Sequence, residues 1–293
     1  MKYFVLKSEN HRLNEKMRTA LRGNYIELSD GVTHYELLGP ENGQLIVFVG
    51  GLTVPLFYWD KIISILHIAG FRTLTYSSYG RGYSDRIRNT SYDDTLFIRQ
   101  ISELIKALAL ADGFHIVGAS MGALVAMGYV NQNADAISSL TVAGPAGLAK
   151  KPIALRLLQS SNLLAGVIAK NFGSKWLSLH ESNDLGDQTH AAVLSNMLLD
   201  AYRFEGSLHA VFDTVQHFGL FNRAALYQRM SELKIPTMLI WGKEDRVTPI
   251  DSLEKACLLL QPKQCHVLDC GHMVPFERSN EVARFIQLFV NNL

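Results

Sequence analysis

Cysteine is scarce in this chain of 293 residues: Cys257, Cys265 and Cys270 are all there is. An odd, sparse set with no zinc-type spacing excludes a disulfide framework and offers no metal site. Such cysteines read as small buried hydrophobes in a reducing cytoplasm. Net charge is equally sparse. Lys and Arg number 28 against 27 Asp and Glu, a formal +1. No basic field for nucleic acid or a polybasic anchor emerges from so even a balance. Long apolar runs are missing too: none approaches the roughly eighteen residues of a spanning helix. The opening "MKYFVLKSENHRLNEK" has no apolar run leading to a small-residue cleavage site. No secretory signal is therefore expected, and the expected location is cytoplasmic. A dinucleotide fingerprint is also absent. Neither "GGLTVP" nor "YGRGYSD" completes Gly-x-Gly-x-x-Gly. No metal, organic cofactor or nucleic acid is expected.

What is present is a globular composition, 48% hydrophobic, long enough for a large core. Short apolar runs alternate with helical patterns. "YIEL" and "THYELLG" flank a Ser29-Asp30-Gly31 turn and read as a hairpin. "QLIVFVG" (44–50), "FRTLTYS" (71–77), "FHIVG" (114–118), "ISSLTVAG" (137–144), "IPTMLIWG" (235–242) and "QCHVLDCG" (264–271) read as further strands. Strands without polar alternation, separated by helices, imply a parallel sheet covered on both faces. A helical stripe runs through Leu96, Phe97, Ile101, Leu104, Ile105 and Leu108. Another follows Ser279-Asn280 through Val282, Phe285, Ile286, Phe289 and Val290.

The stretch between Gly144 and Ile235 is too long for one crossover. Its helical patterns lie at 152–170, 188–203, 205–218 and 222–231. We therefore expect a core domain from 1–145 and 232–293, with a helical cap over 146–231.

Strand, turn and helix meet in "FHIVGASMGALVAMGYV" (114–130). Gly118 and Gly122 stand two residues either side of Ser120. Around so sharp a corner a side chain at either glycine position would collide with backbone. The serine is thereby pushed to the tip, ahead of a helix N-terminus that favours negative charge. A hydroxyl is a poor nucleophile and needs a base, which needs an orienting acid. His272, in the turn "DCGHMVPFE" after the last strand, can reach across the strand ends. His115 lies inside a strand and reads as a packed residue. Asp245 and Glu244 both follow the strand "LIWG". Asp245, shorter and deeper in the loop, is the preferred acid. Two backbone N–H groups must hold a developing oxyanion. Met121 follows the nucleophile, and Leu52 lies in the turn after "LIVFVG". Gly50 and Gly51 let a substrate approach that turn.

With these residues in place, the chain resembles the α/β-hydrolase superfamily from about residue 25 to 291. "YGRGYSDR" looks like its Gly-x-Gly-x-Ser segment; "WGKEDRVTP" and "GHMVPFERSNEVARFIQLF" look like its acid and histidine segments. The resemblance is to lid-bearing bacterial serine hydrolases of the lipase, lysophospholipase and C–C hydrolase branch. It implies a mostly parallel sheet flanked by helices, a lid after the sixth strand, and catalysis by Ser120, His272 and Asp245. Gly50 stands where the family often has His, Ser77 where Asp commonly ends the fourth strand, and Ala119 where His or Tyr often precedes the nucleophile. A serine nucleophile excludes the aspartate-nucleophile branches.

The expected reaction is hydrolysis of a small or lipid-like carboxylic ester through an acyl-enzyme. The expected pocket includes Gly51, Phe57, Trp59, Ala119 and Met273; Tyr58, between Phe57 and Trp59, is a further candidate, and core packing accounts for these three aromatics equally well. Apolar residues of the cap could extend it: Leu155, Leu157, Leu158, Leu163, Leu164, Trp176, Met197, Leu198, Phe204, Phe212 and Phe218. Two alternatives stand beside it. Hydrolysis of a C–C bond in a ring-cleavage product would need a cation such as Arg156 or Arg203. A binding protein without turnover would use the same fold.

Overall fold

The computed structural model describes residues 1–153, 155–156 and 161–293, with the backbone alone for residues 174 and 176–184. Eight strands form one sheet: β1 (Asn24–Leu28), β2 (Gly31–Leu38), β3 (Leu45–Val49), β4 (Arg72–Tyr76), β5 (Phe114–Ala119), β6 (Ile137–Ala143), β7 (Thr237–Gly242) and β8 (Gln264–Leu268). Their order is β1-β2-β4-β3-β5-β6-β7-β8. The hairpin β1–β2 pairs antiparallel, and β2 pairs antiparallel with β4; every later pair is parallel. A parallel sheet needs crossovers, and helices supply them on both faces. They are α1 (Glu15–Arg18), α2 (Asp60–Ile68), α3 (Asp94–Ala107), α4 (Met121–Gln132), α5 (Asn162–Asp184), α6 (Ala191–Tyr202), α7 (Ser207–His217), α8 (Ala224–Glu232), α9 (Leu253–Leu260), α10 (Val274–Glu277) and α11 (Ser279–Asn291).

The alternation of β3 divides the core. Ile46 and Phe48 face one cluster with Ile62, Leu66, Ile286 and Phe289 of α2 and α11. Val47 and Val49 face the other, with Leu104 of α3 and Met127 of α4. Both stripes expected from helical spacing are therefore core. At the C-terminal helix, Ser279 is its first residue and Arg278 precedes it, with no side-chain cap. The short α10 ends at Glu277, directly before that junction, so there is no free loop for Ser279 and Asn280 to terminate.

The insertion between β6 and β7 is largely helical. A helix over 152–170 is expected; residues 153, 155 and 156 are helical, 154 and 157–160 lie outside the described residues, and a separate helix, α5, spans Asn162–Asp184. Ser161 sets its start: extended backbone places the hydroxyl to accept from the Leu164 N–H. Leu198, Phe204, Phe212 and Phe218 are buried, whereas Leu163 and Leu164 are exposed. Leu157, Leu158 and the Trp176 side chain lie outside the described residues. Of the cysteines only Cys270 is buried; Cys265 is exposed, on the edge strand β8. Among the described residues no helix is long and apolar enough to cross a membrane.

Candidate active site

The C-terminal ends of β5, β7 and β8 converge on one point. At the end of β5 the chain turns directly into α4 at Ser120, whose φ of 54° and ψ of −120° lie outside the ordinary regions. The two glycines account for the turn's tightness. A Cβ at Gly118 would stand 2.6 Å from the Gly122 carbonyl oxygen, and one at Gly122 would stand 2.2 Å from that of Val49. No side chain fits either gap.

The Ser120 hydroxyl lies 2.8 Å from His272 Nε2, and His272 Nδ1 lies 2.8 Å from Asp245 Oδ2. The carboxylate fixes Nδ1 as the protonated nitrogen, leaving Nε2 to accept from the hydroxyl. Asp245 and His272 are each only 5% exposed, which shields their pairing from water. Asp245 Oδ1 accepts from the N–H groups of Val247 and Thr248, at 2.9 and 2.7 Å. The Thr248 hydroxyl donates to Asp245 Oδ2 at 2.7 Å and lies 3.2 Å from His272 Nδ1. Glu244 is exposed and takes no part. His115 is buried in β5 and bonded to the Ser139 hydroxyl; burial pulls its pKa down to about 4. It lies in the strand, apart from the Ser120 corner.

Two spaces meet at Ser120. One is a niche of about 20 Å³ bordered by Gly51, Leu52, Tyr58, Ala119, His272 and Met273, among others. The other is a cavity of about 420 Å³ bordered by Leu52, Met121, Ala146, Leu148, Leu155 and Phe221, among others. Leu52 and Met121, the expected oxyanion donors, thus border the cavity beside the serine. No charged residue appears among the cavity's described walls.

Gly51, Ala119 and Met273 border the niche; Phe57 and Trp59 do not. They belong to a 3-10 turn, Leu56–Trp59, in which successive side chains point about 120° apart. Tyr58 therefore faces the niche. Phe57 packs on Tyr83 under the Arg22 guanidinium, and Trp59 is buried against Phe48. Arg156 is exposed, and Arg203 pairs with Asp200.

Sequence reasoning missed Arg81. It is fully buried, and no carboxylate is among its hydrogen-bond partners. Its Nε donates to the Leu52 carbonyl at 2.7 Å, Nη1 to the Tyr79 carbonyl at 2.9 Å, and Nη2 to the Thr214 hydroxyl at 2.9 Å. It therefore ties the turn after β3 to helix α7 of the insertion. Burial lowers its pKa from the ordinary guanidinium value. Ser77, where the family often has Asp, accepts from the Leu56 N–H and contacts His34 Nδ1. Glu277 clamps the histidine loop to the insertion, accepting from the N–H groups of Gly271, Gly186 and Asp187.

This is the geometry of an α/β hydrolase, and a profile of the alpha/beta hydrolase fold matches residues 44–279. The chain belongs to that family. A 2-hydroxy-6-oxononadienedioate/2-hydroxy-6-oxononatrienedioate hydrolase of Pseudomonas putida is 25% identical over 282 residues, covering 92% of this chain and 96% of that one. Monoacylglycerol lipase abhd6-B of Xenopus laevis is 28% identical over 208 residues, 67% of this chain and 60% of that one. A thermophilic esterase from Thermogutta terrifontis shares the fold, with a TM-score of 0.77 and 18% identity over 92% of this chain and 99% of that one.

Proposed function

We propose that the protein is a serine hydrolase of neutral carboxylic esters with an apolar acyl group. The observation that carries this reading is the hydrogen-bonded chain Ser120–His272–Asp245 at the mouth of the large apolar cavity. His272 Nε2 takes the hydroxyl proton as Ser120 Oγ attacks the carbonyl carbon. The amides of Leu52 and Met121 receive the oxyanion. His272 then gives the proton to the leaving alkoxide, and water repeats the sequence on the acyl-enzyme. Asp245 holds the imidazole and stabilises its cation, and Thr248 holds Asp245. The cavity walls suit an alkyl chain, since each buried methylene contributes about 0.8 kcal/mol.

Hydrolysis of a C–C bond in an anionic ring-cleavage product is the second reading, favoured by the full-length resemblance to the Pseudomonas putida hydrolase. An anionic substrate in an uncharged cavity would lose its hydration without a cation to replace it. Neither Arg156 nor Arg203 borders the cavity among its described walls. That weighs towards esters. A binding protein would have no need of a strained, base-paired serine.

The test is hydrolysis of p-nitrophenyl esters from acetate to palmitate by the wild type and by Ser120→Ala. Turnover rising with acyl length to a medium-chain optimum, and lost in the variant, is expected. Turnover of a vinylogous diketo acid with none of any ester would overturn the reading in favour of C–C hydrolysis. No turnover of either would leave a binding role.

A further inference from the structure

The charge balance of the whole chain conceals one strongly uneven segment. From Gly144 to His180 the sequence carries Lys150, Lys151, Arg156, Lys170 and Lys175 and no Asp or Glu. The same segment exposes large apolar side chains. Ile153 is 76% exposed, Leu163 80% and Val167 50%. On α5 Leu163, Gly166, Val167 and Lys170 share one face at i, i+3, i+4, i+7 spacing, with Lys2 beside them, while Leu164 and Phe172 are exposed elsewhere on the same helix. The opposite side of the helix carries the buried Ala165 and Ala169. An α5 made only for packing would keep its apolar residues on that inner side.

We propose that this face docks the protein on an anionic lipid surface. The proposal rests on the ester-hydrolase reading for its purpose, though not for its test. Three features point to lipid. Exposed aliphatic side chains with lysines at their margin are the pattern of a helix lying in a headgroup layer. Lys2 and Lys170 beside the exposed aliphatic residues complement anionic headgroups, the acidic Glu181 and Asp184 falling in the last turn of α5, and lysine stems can stay with apolar neighbours while their ammonium groups reach outward. The cavity lies close by in the chain: Pro152 and Leu155, a few residues before α5, border it, and Ile153 between them is exposed to solvent. A docked protein would meet apolar acyl chains at the cavity wall without their crossing water.

The experiment uses the Ser120→Ala protein, so that lipids survive the assay. Sedimentation is measured with vesicles of phosphatidylcholine alone and of equal parts phosphatidylcholine and phosphatidylglycerol. Binding to the anionic vesicles, weak or absent binding to the neutral ones, and release by high salt are expected. Leu163→Ser with Val167→Ser should reduce anionic-vesicle binding about tenfold or more. Lys150→Glu with Lys170→Glu should reduce it by at least about fivefold per lysine. Wild-type activity on a soluble short-chain ester should be unaffected by either pair. No binding to anionic vesicles, or binding that both pairs leave intact, would overturn the proposal. So would a concentration-dependent dimer dissociated by the same substitutions, since the face would then belong to a second copy. Failure of the ester reading would show separately, as absent turnover of soluble esters.

Discussion

The strand ends and the helical insertion solve opposite problems. At the strand ends Ser120, His272 and Asp245 are fixed by a parallel sheet, two glycine contacts and a buried carboxylate. In the insertion, apolar residues both wall a cavity and stand exposed on α5. On the proposed reading the first region carries the chemistry, and the second contributes to the choice of substrate through the cavity wall.

Removing the chemistry should have the largest effect. Ser120→Ala or His272→Ala should lower kcat/KM by at least about 10⁴-fold, and Asp245→Asn by a similar factor, with unchanged circular dichroism. A loss below tenfold in any of them would mean that the strand ends do not hold the reacting groups.

Arg81 tests whether the two regions are coupled. The buried guanidinium holds the Leu52 carbonyl and the Thr214 hydroxyl together. Arg81→Met should lower kcat about tenfold or more with little change in KM, and Arg81→Lys should restore part of it. Equal losses in kcat, KM and melting temperature that lysine does not restore would make Arg81 a packing residue only.

Substitution of the cavity wall should act on substrate choice alone. Ala146→Phe fills space beside Ser120 and should lower kcat/KM for long acyl chains about tenfold while leaving acetate esters nearly untouched. A uniform loss across chain lengths would place the acyl group elsewhere.

A separate effect, outside the catalytic comparison, falls on stability. His34, His115 and His209 are buried, and burial pulls their pKa values down to about 3, 4 and 4. Below about pH 6.5 the unfolded chain takes up protons that the folded chain refuses. Stability is therefore full above that pH and falls as pH drops towards the folded values. Each histidine contributes a slope of about 1.4 kcal/mol per pH unit in that window. The melting temperature should fall between about pH 7 and about pH 5, less steeply in His115→Gln. A flat profile would contradict the burial of these rings.

The strand ends were legible because their signals are local. Glycines around Ser120, a loop acid after β7 and a histidine after β8 are each visible within a few residues. Which of Phe57, Tyr58 and Trp59 faces the niche was not legible, because loop reasoning cannot foresee which residue of a 3-10 turn points inward. Arg81 was invisible for another reason: its partners Leu52 and Thr214 lie 29 and 133 residues away in sequence. Thr248 lies three residues beyond Asp245, yet its bond to the carboxylate depends on the fold of that loop. The start of α5 is set by the Ser161 cap, a one-residue signal inside a stretch whose apolar periodicity runs across it, so one expected helix is two.

The most direct test of the central claim is to trap the intermediate. The wild-type protein would be mixed with p-nitrophenyl octanoate, quenched in acid and digested for mass spectrometry. An octanoyl group on the peptide bearing Ser120, absent from Ser120→Ala, is the result the account requires. Steady ester turnover with no adduct at Ser120, or with one on another residue, would contradict it.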